Sequence, residues 1–149
     1  MWVIADMTDM LGVATSSGIR FGPNSSGKFY LCLYYHRGNN RPEKNKWHPE
    51  IKPQLEYQIF CNTDRENWYD RIGHGWGMHN QGDTIIGFQG ERLCKFPRTS
   101  NESDPRHGFP VSPMENGDDD TPSDEFIEHW ILMGAISKTF GRRIQRRKV

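Results

Sequence analysis

The stretch Lys28–His36, KFYLCLYYH, alternates two sets of side chains that both favour β-strands. The two faces hold Phe29, Leu31, Leu33 and Tyr35 on one side, and Tyr30, Cys32, Tyr34 and His36 on the other. A strand that is apolar on both faces is expected at the centre of a sheet. The turn-rich residues 22–27, GPNSSG, precede it. Residues 19–21 are therefore predicted to pair with it as a hairpin.

Two further stretches predict the rest of an antiparallel sheet. Residues 54–61, QLEYQIFC, alternate again and predict a second strand. Residues 83–96, DTIIGFQGERLCKF, predict a hairpin with Gln89-Gly90 at its tip. Together with 28–36, these segments predict a small sheet of three to five antiparallel strands.

Helix signals occur in the middle of the chain and at its C-terminus. Thr63-Asp64-Arg65-Glu66 fits a capping box, which predicts a short central helix that ends at Gly73. Thr121-Pro122-Ser123-Asp124 predicts the start of a helix over about 122–133. Ser137 then caps a basic amphipathic helix with Phe140 and Ile144 on its apolar face.

These elements predict an α+β fold with one short central helix and a C-terminal helical pair. A length of 149 residues predicts one domain. Within it, residues 1–97 are expected to be β-rich, 98–121 to form a Pro-rich acidic loop, and 122–148 to form the helical hairpin. Aromatic residues make up 12% of the chain, so large rings should supply much of the buried area.

The overall charge excludes the basic excess of a general nucleic-acid binder, because 19 Lys and Arg balance 19 Asp and Glu. Cys32, Cys61 and Cys94 are odd in number and widely spaced, which favours reduced thiols over a disulfide framework or a zinc ribbon. The start, MWVIADMTDMLGVA, lacks the basic region of a secretory signal, and no apolar run reaches the length of a membrane span. A cytoplasmic protein without membrane contact is expected.

Residues 73–80, GHGWGMHN, concentrate glycines and histidines and allow several interpretations. A phosphate-binding loop would need GxGxxG or GK[ST] spacing, which is absent. A metal site could combine His74 and His79 with His36, His48 or His107, but nothing matches HExxH or a Cys/His spacing pattern. We therefore predict neither a metal nor a cofactor.

A catalytic interpretation of the same region remains open. Glu66, Arg71, His74 and His79 supply a proton-transfer group and phosphate-binding cations within 14 positions. A metal-independent RNase needs such groups to move the 2′-OH proton and to hold the phosphate. The alternative is an ordinary charged helix surface.

The pattern His-Gly-aromatic occurs twice, at His74-Gly75-Trp76 and at His107-Gly108-Phe109. In the interpretation we favour, glycine turns the chain so that each ring plugs the edge of the core. In the alternative, the two loops form one recognition surface with Trp76, His107 and Phe109 as binding residues.

The C-terminus is locally basic, with six bases and no acid between Lys138 and Lys148. Arg142, Arg143, Arg146 and Arg147 could contact nucleic-acid phosphates. Alternatively, they pair with the seven acids between Glu115 and Glu128 across the helical hairpin.

The leading hypothesis is a small non-catalytic binding or regulatory protein of the adaptor, inhibitor or immunity type. Its aromatic and glycine-rich loops and its basic helix would contact a macromolecular partner, in the first place a protein. The alternatives are the RNase and a nucleic-acid-binding protein that uses residues 138–148.

Overall fold

The computed structural model describes residues 11–38 and 45–149 and confirms the predicted α+β class. The strands are β1 (Val13–Ala14), β2 (Gly18–Phe21), β3 (Tyr30–Leu33), β4 (Gly75–Gly77), β5 (Leu93–Phe96) and β6 (Phe109–Val111). They form two three-stranded antiparallel sheets, with the orders β1-β2-β3 and β4-β5-β6. The helices are α1 (Pro53–Arg65), α2 (Pro113–Asn116), α3 (Asp124–Leu132) and α4 (Lys138–Gln145).

Most of the N-terminal segment that was compared with a secretory signal, residues 1–10, lies outside the described ranges. None of the helices in those ranges combines the length and the apolar composition needed to cross a bilayer.

The first sheet confirms the predicted pairing of residues 19–21 with the stretch that begins at Lys28. Phe21 lies opposite Tyr30, and Gly18 lies opposite Leu33. The predicted central position of this strand is wrong, because β3 is an edge strand that ends at Leu33 and continues into a 3-10 turn. Its outer edge is partly covered, since the Leu31 N–H donates to the Arg106 carbonyl at 2.7 Å.

The prediction of a strand over residues 54–61 is wrong, because this segment belongs to the 13-residue helix α1. Pro53 occupies the first turn, where a missing N–H costs nothing. The side chains that α1 buries recur at helical spacing: Glu56, Tyr57, Ile59, Phe60 and Thr63. The apolar residues of this run satisfy both periods, and packing against β3 and β4 selects the helix.

The predicted capping box at 63–66 is also wrong. Thr63 lies near the end of α1, and its hydroxyl donates to the Ile59 carbonyl at 3.0 Å. Gly73 does not end a helix, since it lies in a turn with a φ of 106°. The predicted β-rich region up to residue 97 therefore contains a long helix in place of a strand.

The second sheet includes an edge strand that the sequence did not predict. The glycine-rich stretch contributes β4, which pairs with β5, and β5 pairs with β6. The predicted hairpin over 83–96 is only half correct, because its second arm is β5 and its first arm is no strand. A tight turn precedes β5 instead, and in it the Gly87 N–H donates to the Glu91 carbonyl at 3.0 Å.

The C-terminal helical pair is confirmed. The Ser123 hydroxyl accepts from the Phe126 N–H and begins α3, two residues after the predicted Thr121 cap. The Ser137 hydroxyl accepts from the Phe140 N–H at 3.0 Å and begins α4, as predicted. The expected loop 98–121 is more ordered than its composition suggested, since it contains β6 and α2.

The second sheet separates two clusters of buried side chains. Cys94 and Phe96 face the first cluster, between the N-terminal sheet and α1. Leu93 and Val111 face the second cluster, which Trp130, Phe140 and the rest of the helical pair complete. Both clusters are rich in aromatic rings, as the composition predicted. The sheet can contact apolar groups on both faces because successive side chains of each strand point to opposite faces.

Candidate functional site

Trp76, in the middle of the glycine-rich stretch, points into the second cluster and is only 3% exposed. Its indole Nε1–H donates to Asp70 Oδ2 at 3.0 Å. Asp70 Oδ1 accepts the backbone N–H groups of Ile72, Gly73 and His74. The predicted binding residue Trp76 is therefore a buried core side chain, which is the interpretation that the sequence favoured.

Asp70 is the centre of this loop. Partial burial acts to raise its pKa, but the N–H groups of Trp76, His74 and Gly73 stabilise the carboxylate and hold the pKa below its usual value. These donors leave the carboxylate little capacity for a metal or a proton. Asp70 thus orders the turn before β4.

His74 precedes β4 and His79 follows it, and the two side chains line different clefts. His74 Nδ1 accepts the Arg98 N–H at 2.9 Å, and its cleft also contains Asp70 and Lys95. Partial burial, and then the charge of Lys95, lower the pKa of His74. His79 lies in a separate cleft beside α1. The structure does not bring the two candidate catalytic histidines together.

The other two catalytic candidates lie on the surface. Glu66 and Arg65 form an ion pair at 3.7 Å with both side chains about half exposed or more. The Arg71 side chain is 87% exposed and pairs with Glu125 at 2.9 Å. Neither Glu66 nor Arg71 lines the clefts of the two histidines. The four residues form no single proton-transfer site in this structure.

His107 and Phe109 pack against a third ring, His36. The rings of His36 and His107 are nearly parallel with centroids 6.1 Å apart, and the Phe109 centroid lies 5.0 Å from that of His36. His36 Nδ1 lies 3.0 Å from the Asn45 carbonyl oxygen. Burial lowers the pKa of His36 to about 4, against the opposing effect of the Asn45 carbonyl, and burial also lowers the pKa of His107. This cluster is expected to be neutral at pH 7.

The two His-Gly-aromatic segments lie in the same sheet, on either side of β5. Trp76 lies opposite Lys95, and Lys95 lies opposite Phe109, so the three side chains share one face. The Lys95 ammonium lies 5.2 Å from the Trp76 ring centroid. His74 and His107 are not partners in this arrangement, since His107 stacks on His36.

Some cations of α4 and the residues after it form ion pairs, and others do not. Arg142 pairs with Glu128, and Arg147 pairs with Asp118, so the predicted pairing across the hairpin occurs at these two positions. The remaining exposed cations form no ion pair within the described residues: Lys138, Arg143, Arg146 and Lys148. Four exposed cations without an ion pair are therefore left on α4 and the residues that follow it.

A buried polar cluster, which the sequence did not predict, joins β3 to α1. Glu56 accepts from the Tyr30 hydroxyl, from the Cys32 thiol at 3.0 Å and from Arg37 Nη2 at 2.7 Å. Burial raises the pKa of Glu56 despite Arg37, and burial followed by Glu56 raises the pKa of Cys32 to about 12. Cys32 is therefore an unreactive thiol that fixes the helix against the sheet.

A cleft of about 800 Å³ lies between α1 and the segment after β4. Its α1 side contains a stripe with helical spacing, Leu55, Gln58, Ile59, Asn62 and Arg65, together with Tyr57 and Cys61. The rest of the lining comes from Met78, His79, Asn80 and Gln81 after β4, and from Asn24, Ser25, Trp68 and Ala135. The lining contains no Asp or Glu.

The strand prediction for 54–61 concealed the α1 side of this cleft. Once that segment is a helix, the stripe from Leu55 to Arg65 is visible in the sequence. The wall opposite α1 could not be predicted, because it depends on how β4 packs against α1.

Within residues 11–38 and 45–149, no three His, Cys, Asp or Glu side chains come together as a possible metal site. Comparison with family models, with curated proteins and with solved structures gave no match for this chain.

Proposed function

We propose that this chain is a non-catalytic binding protein whose α1 cleft receives a segment of a partner protein. The observation that carries the proposal is the composition of the cleft, which pairs an apolar base with side-chain amides and lacks carboxylates. Binding sites typically combine apolar walls with a few polar groups that fix orientation. A volume of about 800 Å³ is at the upper end of the usual range for such sites.

The dispersal of the catalytic candidates supports binding over RNA cleavage. General acid–base catalysis needs both groups within hydrogen-bonding reach of one substrate. His74 and His79 line separate clefts, and Glu66 and Arg71 line neither.

A cleft-filling substitution tests the proposal. Gln58 is exposed and lines the cleft, so Gln58→Trp should fill it without changing the core. Gln54→Trp, on an exposed position of α1 outside the lining, is the matched control. In crosslinking experiments with an extract of the source cells, Gln58→Trp should abolish capture of the partner, and Gln54→Trp should not.

The RNase alternative is tested in parallel. His74→Ala, outside the α1 cleft, should retain partner capture, and His79→Ala serves only to test RNA hydrolysis. Hydrolysis of a single-stranded RNA that either substitution abolishes would contradict the proposal, as would capture that Gln58→Trp leaves unchanged.

A second candidate function is nucleic-acid binding, which the four unpaired cations at the C-terminus favour. Neutralising about three phosphates should give a salt slope near −3 for duplex DNA. Fluorescence anisotropy of a DNA duplex over a range of about 50 to 200 mM salt would measure the slope. Arg143→Glu with Arg146→Glu and Lys148→Glu should remove the slope. The control is Arg20→Glu with Lys52→Glu and Arg98→Glu at exposed positions elsewhere. Equal slopes in both triple variants would exclude this candidate.

A further inference from the structure

The α1 cleft has the dimensions of a short extended chain. From Leu55 to Arg65 the helix rises about 15 Å, at about 1.5 Å per residue. An extended peptide covers about 3.3 Å per residue, so four or five residues span this length. The cleft is therefore long enough for a peptide segment of that size.

The side chains along the cleft suit a peptide backbone. Gln58 and Asn62 lie on the α1 side, and Asn80 and Gln81 face them from the other side. Each amide can both donate and accept a hydrogen bond, as a peptide group does. Leu55, Ile59, Trp68 and Met78 provide apolar contacts for the ligand's side chains at the base and rim. Alternating polar and apolar contacts of this kind are typical of extended-peptide recognition.

The backbone of the second wall is unusual. Asn80 and Gln81 have φ values of 55° and 58°, so two consecutive residues other than glycine adopt the left-handed conformation. This conformation costs free energy, and such residues are concentrated at binding and catalytic sites. In this protein the left-handed pair places both amides at the cleft.

The lining of the cleft contains a positively charged side chain and no negatively charged one. Arg65 is its one permanently charged lining residue, and its side chain is 66% exposed. Arg65 Nη2 donates to Asn62 Oδ1 at 2.5 Å, and Arg65 Nε lies 3.7 Å from Glu66 Oε2 in an exposed pair. The Nη1 amino group of the guanidinium remains available as a donor. One arginine can neutralise one carboxylate, whereas a nucleic acid of the same length would bring a phosphate for each nucleotide.

We propose that the α1 cleft binds a short extended peptide segment of a partner protein through an acidic side chain that pairs with Arg65. This inference rests on the proposed protein-binding function and specifies the ligand. The peptide's main chain pairs with the four amides, and its apolar side chains contact Ile59, Trp68 and Met78. Specificity comes from the acidic residue, because the cleft has no carboxylate that would repel it.

The test uses a phage-displayed library of random dodecapeptides selected on the full chain. The enriched sequences should combine an acidic residue with apolar residues two positions away on either side. Binding of the synthetic peptides should be lost in Gln58→Trp and kept in Gln54→Trp.

A double-mutant cycle then isolates the charged contact. Arg65→Gln should weaken the acidic peptide about tenfold or more, the usual effect of losing a charge-assisted hydrogen bond. The same substitution should not affect a peptide whose acidic residue is changed to its amide. Arg71→Gln, at another exposed arginine with a carboxylate partner, is the matched control and should leave binding unchanged.

Three results would overturn the inference. Enriched peptides could be neutral or basic, Arg65→Gln could weaken acidic and amide peptides equally, or single-stranded oligouridylate could bind in a manner that Gln58→Trp abolishes. If partner capture still depends on Gln58 while the acidic preference is absent, the inference fails and the proposed function stands. If neither capture nor peptide binding depends on Gln58, both fail.

Discussion

The two most buried tryptophans outside the first cluster differ in one hydrogen bond. Trp76 Nε1 donates to Asp70 Oδ2 at 3.0 Å. Trp130 is fully buried between Trp68 and Phe126, and its Nε1–H has no acceptor among the described residues. A hydrogen bond to a charged acceptor contributes about 1.5–3 kcal/mol, and a buried donor without a partner is costly.

We therefore expect Trp76→Phe to destabilise the fold by about 2 kcal/mol more than Trp130→Phe. Both substitutions replace an indole with a smaller ring, so the comparison cancels most of the lost packing. Urea unfolding followed by circular dichroism measures both free energies. An equal or larger loss for Trp130→Phe would show that the Asp70 hydrogen bond contributes no net stability.

At the scale of elements, the contact between α1 and β4 depends on glycine. A Cβ atom at Gly77 would lie 2.5 Å from Thr63 Oγ1 and 3.1 Å from the Phe96 ring. The Thr63 hydroxyl cannot easily move away, because it is bonded to the Ile59 carbonyl within the helix. The glycines that resembled a ligand loop therefore allow a strand to pack closely on a helix.

Gly77→Ala should consequently destabilise the fold by about 1–3 kcal/mol, the usual cost of overpacking. Removing the hydroxyl relieves the closest contact, so Gly77→Ala with Thr63→Ala should cost about 1 kcal/mol less than the sum of the single changes. Chemical denaturation of the four proteins of this cycle provides the measurement. Strictly additive costs would mean that Thr63 is not what excludes a side chain at position 77.

At the scale of the whole molecule, the stability of the fold at acid pH depends on buried groups whose pKa differs between the folded and the unfolded state. The pKa of His36 is lowered to about 4 by burial, whereas an unfolded chain has a histidine pKa of about 6.5. Between these two pKa values the unfolded state binds more protons than the folded state. The contribution of His36 to the free energy of unfolding is therefore complete above about pH 6.5 and decreases as the pH falls towards 4. Glu56 acts in the opposite direction, because burial raises its pKa.

A variant comparison removes the effect of Glu56, which is common to both proteins. Between pH 7.5 and 4.5, the wild-type free energy of unfolding should fall by about 2 kcal/mol more than that of His36→Gln. Denaturation at each pH gives these values, and His129→Gln on the exposed face of α3 is the control substitution. Parallel pH profiles for wild type and His36→Gln would contradict the assignment.

The sequence by itself determined the elements whose signals are local. The caps at Ser123 and Ser137 and the apolar stripe with Phe140 and Ile144 are sufficient for the helical pair, because both act within a few residues. The turn residues 22–27 likewise determined the pairing of β2 with β3. The aromatic composition predicted the nature of the core but not its division into two clusters.

Only the tertiary structure decided α1, β4 and the cleft between α1 and the segment after β4. The run 54–61 fits the period of a strand and that of a helix, and contacts with two sheets select the helix. Within the stretch 73–80, Gly75–Gly77 form a strand because Gly77 can approach Thr63 and Phe96, residues distant in sequence. The same packing buries Trp76, and it leaves His74 and His79 at the two ends of β4, in different clefts.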